Sequence, residues 1–334
     1  MCTYNGAAHL REQLDSIAAQ TRPPDELVVC DDRSTDETAE VVREFAPHAP
    51  FPVRLHVNEA NLGSTRNFEK AIGLCGGEVI ALSDQDDVWL VGKLERFEAE
   101  FVASPAAGLV FSDGEVVDEN LRPLGYNLWQ SLHFGPEKQR RFREGLAFET
   151  LLLDFCVTGA AMAFRSHFRE LVLPIQPTSL RGFGRRTMHF IHDGWIALVI
   201  AAVSELAMID EPLIKYRQHA GQQLGLRPPE PGAEDYARGA AGWGGRVGTR
   251  YGEFLASELS VLEEIHRRLW ESGEAAYREV ALSKLKPKIV HLRARTGLPA
   301  NRLRRLPLVL RELVTARYSR YSNGVMSAAK DLLL

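Results

Sequence analysis

Glu78–Trp89 reads EVIALSDQDDVW. Its first six residues are a short apolar run of the kind that forms a strand inside a sheet, and the next four, Asp84-Gln85-Asp86-Asp87, are dense in carboxylate. Alternation in an extended chain puts residues two apart on the same side, so Asp84 and Asp86 can point into one site. Crowded carboxylates repel one another, and an oxygen-preferring divalent cation, Mn²⁺ or Mg²⁺, relieves that repulsion while bridging a diphosphate. A lone D-x-D is a weak signal, because a solvated acidic turn accounts for most of them. Position at a strand end, directly before Val88-Trp89, gives this one more weight.

Outward from this stretch, short apolar runs alternate with amphipathic ones. Ala8–Gln20 sets Leu10, Leu14 and Ile17 at helical spacing before Pro23-Pro24 stops it. Glu26–Asp31 (ELVVCD) predicts a strand ending in acids. Ser34-Thr35-Asp36-Glu37 predicts the start of a helix to about Phe45, with Ser34 and Glu37 in capping-box spacing. Val53–Val57 predicts a strand and Ser64–Leu74 a helix. Leu109–Ser112 and Glu115–Asp118 predict further strands. Leu146–Phe164 starts as a helix and passes through Thr158-Gly159-Ala160-Ala161 into an apolar strand; His192–Ala207 predicts another helix. Such units imply an α/β protein with a doubly wound, mostly parallel sheet whose ligands sit at the carboxyl ends of the strands. Met1–Tyr4 has the pattern of a strand's tail. Either the first strand is short, or the native chain starts a few residues earlier with an apolar run.

A second acidic cluster, Asp31-Asp32-Arg33-Ser34-Thr35-Asp36, falls at the end of an earlier strand and so on the same sheet edge. Helix capping accounts for Ser34 and Asp36 but not for Asp31 and Asp32, which can accept hydrogen bonds from a base N–H or a ribose hydroxyl. In Asn58–Ala71 (NEANLGSTRNFEKA), Gly63 and Arg66 stand at a helix start, where backbone N–H groups and a guanidinium can face phosphates.

Five segments then occur in a telling order: MCTYN (Met1–Asn5), DDRSTD (Asp31–Asp36), NLGSTRN (Asn61–Asn67), SDQDDVW (Ser83–Trp89) and HDGW (His192–Trp195). In that order they resemble family-2 glycosyltransferases of the GT-A fold. With Tyr216-Arg217-Gln218-His219 added, they resemble the bacterial rhamnosyltransferase-like subgroup. The resemblance covers roughly residues 1–225. It implies a GT-A nucleotide-diphospho-sugar transferase fold with a nucleotide-sugar half (1–110) and an acceptor half (111–225). Thr3, Tyr4 and Asp32 would hold the nucleoside, Asp32 at the pyrimidine. Asp84 would meet the ribose and Asp86 the metal, with Asp87 able to replace Asp86. Asp193 would be the general base, and His219 would reach the metal or pyrophosphate. Transfer with inversion needs both a base for the acceptor hydroxyl and a Lewis acid at the departing diphosphate. Asp193 opens an apolar helix where burial can raise its pKa; at a helix start it can equally be an N-cap, and the two roles can coexist. Thr158-Gly159 resembles the acceptor-side segment, and Trp89 and Trp195 are expected to pack with one edge at the site. His9, His48, His56, His133 and His167 lack acidic or histidine neighbours at useful spacing and are read as structural or solvated.

The bulk numbers fit. The 334 residues are 45% hydrophobic and 25% charged, enough for a sizeable core, and a net charge of −4 argues against a nucleic-acid partner. Four scattered cysteines without a CxxC pair imply a reducing compartment and no zinc site. The N-terminus has no secretory pattern, and no apolar stretch reaches the roughly 18–20 residues of a spanning helix, which predicts a cytoplasmic protein or one attached to a membrane surface. Gly225–Thr249 reads as a linker or exposed loop, giving divisions at 226–250 and 251–334. From Lys284 to Leu334 there are twelve basic residues and two acidic ones, interleaved with apolar residues at helical spacing. Such a helical extension suits peripheral contact with an anionic membrane surface and an ordinary subdomain with a basic face about equally well. The reading is therefore an inverting, metal-dependent transferase using a nucleotide-sugar donor and a cell-surface polysaccharide or lipid-linked glycan acceptor. A nucleotidyltransferase would want a Gly-rich phosphate loop that TYNGAAHL does not offer. A non-catalytic nucleotide- or glycan-binding protein would not need Asp193. A dehydrogenase is disfavoured because no G-x-G-x-x-G follows a strand.

Overall fold

The computed structural model describes residues 1–176, 191–222, 225–226, 228–229, 247–271 and 275–333; of residues 247–250 and 275–277 it describes the backbone alone. In chain order its elements are β1 (Cys2–Thr3), α1 (Ala7–Ala18), β2 (Leu27–Asp31), α2 (Thr38–Phe45), β3 (Val53–Val57), α3 (Ser64–Leu74), β4 (Val79–Ala81), β5 (Val88–Trp89), α4 (Lys93–Ala103), β6 (Ala107–Val117), β7 (Pro123–Asn127), α5 (Leu128–Ser131), α6 (Pro136–Arg143), α7 (Ala147–Leu151), β8 (Met162–Arg165), α8 (Arg169–Val172), α9 (His192–Ala201) and β9 (Glu205–Arg217). Helices α10 (Val247–Glu271), α11 (Ala275–Thr296), α12 (Arg302–Val314), α13 (Arg317–Tyr321) and α14 (Val325–Leu333) follow. The chain divides into two compact units, one of Met1–Ala147, Cys156–Ile175 and Ile191–Glu230, the other taking Phe148–Phe155 and the C-terminal helices. Most of the expected linker at 226–250 lies outside the described residues.

In the first unit β1, β2 and β3 form a parallel sheet, in register Thr3↔Asp31 and Asp31↔Val57. β2 is buried at all five positions, as a parallel strand covered on both faces must be. α1 covers it with Leu10, Leu14 and Ile17, the apolar stripe read from the sequence. The second sheet, ordered β4-β8-β6-β9-β5 with β7 on β6, is mixed: β6 and β9 run parallel, and its other pairs are antiparallel. The Cys2 N–H donates to the Ser83 carbonyl at 3.2 Å, so the end of β4 lies beside β1.

Three local expectations change. Ser34 does not cap α2: its hydroxyl donates to Asp31 and accepts the Asn5 N–H, and the helix begins only at Thr38, whose N–H is taken by Asp36. The strands expected at Leu109–Ser112 and Glu115–Asp118 are one continuous β6. The helix expected over His192–Ala207 ends at Ala201 and is followed by the long strand β9. In β9 the alternation breaks at Asp210-Glu211-Pro212. Pro212 cannot donate to a ladder, and the register against β6 jumps from Ser112↔Ile209 to Asp113↔Pro212, leaving Asp210 and Glu211 outside.

α9 is buried around its whole circumference, from His192 to Ile200. A helix apolar on every side belongs in the interior. That placement carries His192 and Asp193, in its first turn, out of water.

Candidate active site

The carboxyl ends of β1, β2 and β4, the start of α9 and the residues after β9 surround a cleft of about 490 Å³. Of the residues singled out in the sequence, Thr3, Tyr4, Asp32, Gly63, Asp84, Asp86, Asp87 and Asp193 line it, with Thr158 beside them. Acids from three separate stretches therefore share one cavity.

Asp31 lies beneath it, 1% exposed, accepting from the Thr3 hydroxyl at 2.9 Å and the Ser34 N–H at 2.9 Å. Its oxygens are used inside the protein, so it shapes the floor instead of meeting a ligand as expected. Asp32 takes the Asn58 amide and the Leu62 N–H on Oδ1, at 2.9 and 2.7 Å, and the Gly63 N–H on Oδ2 at 2.8 Å. Gly63, at a φ of +79° that favours glycine, thus spends its N–H on Asp32 and not on a phosphate. Arg66 pairs with Glu69 at 2.6 Å and is not part of the lining. Helix α3 does begin where expected, with its N-cap N–H on Asp32 and its Arg66 guanidinium on Glu69.

Between Asp84, the ribose candidate, and Asp86, a metal candidate, sits Gln85. Its Oε1 accepts the Tyr4 N–H at 2.7 Å and its Nε2 donates to the Tyr4 carbonyl at 3.0 Å, holding a tyrosine whose ring is largely exposed. A Cβ on Gly6 would lie 2.2 Å from that Oε1. Gly6→Ala is therefore expected to push the amide off Tyr4, raising the donor KM about tenfold with little change in kcat or thermal midpoint, because a flexible side-chain end can move. Steady-state kinetics beside a melting curve check this.

Asp86 Oδ2 stands 2.8 Å from His219 Nε2. Nδ1 of the same ring accepts the Gly221 N–H at 3.2 Å, which assigns the ring proton to Nε2, facing the carboxylate. His9, set aside for want of neighbours, has its ring 4.8 Å from that of His219. Asp87 is buried; Oδ1 accepts the Arg217 N–H at 3.0 Å, and Oδ2 has no hydrogen-bond partner among the described residues. Burial and the charges of Asp86 and Asp84 push its carboxyl well up, and burial with Asp86 and Asp193 raises Asp84 to about 7. No three His, Cys, Asp or Glu side chains among the described residues converge as a ready cation site. The chemistry of the donors nevertheless fits a hard divalent ion: a carboxylate–imidazole pair, an orphaned buried carboxylate oxygen, and acids that raise one another's pKa.

Two basic side chains lie near this loop, and the role of neither was foreseen from the sequence. Arg217 buries its guanidinium and donates to the Asp86 carbonyl and the Glu119 carbonyl, each at 2.6 Å, and to the Glu12 carboxylate. Lys93 is fully buried, its Nζ donating to the Ala160 carbonyl at 2.6 Å and lying 4.0 Å over the Trp89 ring; burial brings it down to about 7, against the upward pull of Asp87 and Asp84.

Asp193 accepts the Gly194 N–H at 2.7 Å and the Gly159 N–H at 3.1 Å, and burial raises it to about 7 despite both bonds. His192 lines the cleft beside it, stacked on Phe68 at 3.8 Å, with neither ring nitrogen hydrogen-bonded among the described residues. Burial lowers its pKa to about 3, so the ring is neutral. The buried position of α9 signals such a residue; its apolar neighbours in sequence hid it. Trp195 is wholly buried, donating to the Val172 carbonyl, and neither it nor Trp89 lines the cleft as expected. A Cβ on Gly159 would lie 2.9 Å from His192 Nε2 and 3.3 Å from Asp193 Cβ. Here the neighbours are packed. Gly159→Ala is expected to cost about 1–3 kcal/mol of stability and at least tenfold in kcat, read by calorimetry and turnover.

The chain belongs to a family of sugar-transferring enzymes: residues 1–172 match "Glycosyl transferase family 2", a transferase assignment that covers just over half of its length. It is 29% identical over 242 residues to an uncharacterized glycosyltransferase of Nostoc sp., spanning 72% of this chain and 69% of that one. To the dTDP-rhamnosyl transferase RfbG of Shigella flexneri it is 35% identical over 101 residues, 29% of this chain and 35% of the other. Several other curated relatives are matched over 57% of their length or less. Among solved structures, S. aureus TarS 1–349 in complex with UDP-GlcNAc aligns with a TM-score of 0.54 at 14% identity, covering 99% of this chain and 88% of that one. At that identity the likeness establishes the GT-A fold alone. No helix among the described residues is long and apolar enough to cross a membrane.

Proposed function

We propose that the chain is an inverting, metal-dependent glycosyltransferase that moves a sugar from a nucleotide-diphosphate donor to a cell-surface polysaccharide or lipid-linked glycan. The observation that carries this reading is the buried, cleft-lining Asp193, held near neutral pKa in the same cavity as Asp32 and Asp84–Asp87. A base tuned to about 7 is half ionised at neutral pH and strong enough to accept a hydroxyl proton in the transition state.

In this account the exposed Tyr4 ring packs on the nucleobase, and Asp32 Oδ2, which accepts one N–H among the described residues, takes a second from the base. Asp84, without a side-chain hydrogen bond among the described residues, receives ribose hydroxyls. Asp86 and His219 would hold the divalent cation, Mn²⁺ or Mg²⁺, with Asp87 contributing its orphaned oxygen. When bound, that ion neutralises charge growing on the departing diphosphate. Arg217, bonded to Asp86 and Asp87, keeps the acidic loop in place, and Lys93 adds a buried basic group beside it. Asp193, oriented by the Gly159 and Gly194 N–H groups, takes the proton of the acceptor hydroxyl as its oxygen attacks the anomeric carbon from the face opposite the diphosphate. The neutral His192 offers one donor and one acceptor to the sugar hydroxyls beside that carbon.

Rhamnose is the donor sugar we propose first, on the likeness to the dTDP-rhamnosyl transferase and the motif pattern. The experiment is nucleoside diphosphate release from dTDP-rhamnose, UDP-glucose, UDP-galactose and UDP-N-acetylglucosamine, each with Mn²⁺ and with chelator. Metal-dependent release from one donor supports the reading. A chain that binds a donor yet releases nothing under any condition is a binding protein instead. The division into residues 1–225, 226–250 and 251–334 remains our proposal for the domain boundaries.

A further inference from the structure

The second unit carries a surface for which the cleft chemistry has no use. α12 is entered through Asn301, whose side chain accepts the Leu303 N–H at 3.0 Å. It turns Arg305, Val309, Glu312 and Leu313 toward the rest of its unit. At roughly 100° per residue, Leu303, Leu306, Leu310 and Val314 fall on another side, in a sector about 80° wide. They are 84%, 47%, 50% and 86% exposed. Single exposed leucines are ordinary, but a continuous stripe along a whole helix marks a surface that meets something apolar.

Charge says what that is. Arg304 and Arg311 flank the stripe on one side, and Arg302 stands at the helix start; all three are exposed and, like Arg320, form no ion pair among the described residues. The two acids between Lys284 and Leu334 are both buried and occupied. Glu312 meets His291 at 2.8 Å and Arg317 at 2.8 Å, and Asp331 meets Arg295 at 2.7 Å and the Tyr318 hydroxyl at 2.6 Å. Among the described residues the outward side of this segment therefore shows positive side-chain charge around an apolar band. A second copy of the chain would set basic rim against basic rim. An anionic bilayer supplies phosphates at the rim and acyl chains under the band.

We propose that this side of α12 docks on an anionic lipid surface, the helix axis parallel to the plane, with Leu303, Leu306, Leu310 and Val314 at the headgroup–acyl boundary and Arg302, Arg304 and Arg311 on the phosphates. The test is co-sedimentation of the full chain with vesicles of phosphatidylcholine alone or mixed equally with phosphatidylglycerol, at low and high salt. No donor or acceptor is present, so the result is independent of the transferase reading. The wild type is expected to sediment with the anionic vesicles only and to be released by salt. Leu303→Glu with Val314→Glu, at positions too exposed to threaten folding, should lower partitioning at least tenfold. Arg304→Gln with Arg311→Gln should lower it about fivefold for each charge. Three results would overturn the proposal: no sedimentation of the wild type, equal sedimentation of the wild type and both variants, or a light-scattering dimer that Leu303→Glu/Val314→Glu splits without any vesicle binding.

Discussion

Asp193→Asn is expected to lower kcat by about 10³-fold while changing donor affinity less than threefold. The carboxylate is placed at the cleft wall by two backbone N–H groups, from Gly159 and Gly194, one on each oxygen, and an asparagine of the same shape keeps one of the two. What it loses besides is the ability to accept a proton. Burial has raised this carboxyl to about 7, so the wild type carries its own signature. Below that pH Asp193 is protonated and cannot act as base, and log kcat should rise with unit slope. Above it the carboxylate is formed and the rate should level off. The Asn variant should be slow and show no such limb. Single-turnover rates from pH 5.5 to 8.5 read both effects. A variant that keeps the limb would move the titrating base elsewhere, and one with wild-type turnover would leave Asp193 as a helix-start structural acid.

Asp86→Ala, the second large effect, should lower kcat/KM by at least 10³-fold, with chelation of the wild type having a similar consequence. The carboxylate lines the cleft and sits 2.8 Å from Nε2 of His219, which is not itself part of the lining. Removing Asp86 takes away one donor to the cation and the partner that fixes the imidazole. His219→Ala should be milder, about 10- to 100-fold, because Asp86 and Asp87 remain. Adding Mn²⁺ in excess should recover part of the His219→Ala activity and none of the Asp86→Ala activity. An Asp86→Ala enzyme as active in chelator as the wild type is in Mn²⁺ would remove metal from the mechanism.

The acids were legible in the sequence because strand ends announce themselves. Apolar runs followed at once by DD or DQDD place the carboxylates on one sheet edge, and Asp32, Asp84, Asp86, Asp87 and Asp193 do share one cleft. α3 was read at both ends, since its periodicity starts after Gly63 and stops before Cys75. The supporting charges were not legible. Lys93 looks like an ordinary first-turn lysine, and nothing in its local sequence reports that it is buried against Trp89 and Ala160 within the field of Asp87 and Asp84. Arg217 reaches back across more than a hundred residues to Asp86 and Asp87, on a strand whose alternation is broken by Pro212. Gly63 and Arg66 differ for the opposite reason. Their pattern suits a phosphate, but in the fold the Gly63 N–H, at the cleft, is held by Asp32, and Arg66, outside the lining, is held by Glu69. Local sequence reports which groups could bind a ligand; long-range packing decides which are already spoken for.

The most direct measurement is calorimetric titration of UDP, dTDP and GDP into the protein, with Mn²⁺ and with chelator, on the wild type and on Asp86→Ala. Acids brought together from three stretches of chain to hold a cation against a diphosphate predict that one nucleotide binds the wild type at least tenfold tighter with Mn²⁺, and that Asp86→Ala loses the difference. Binding of equal strength in all four conditions, or of none of the nucleotides in any, would contradict it.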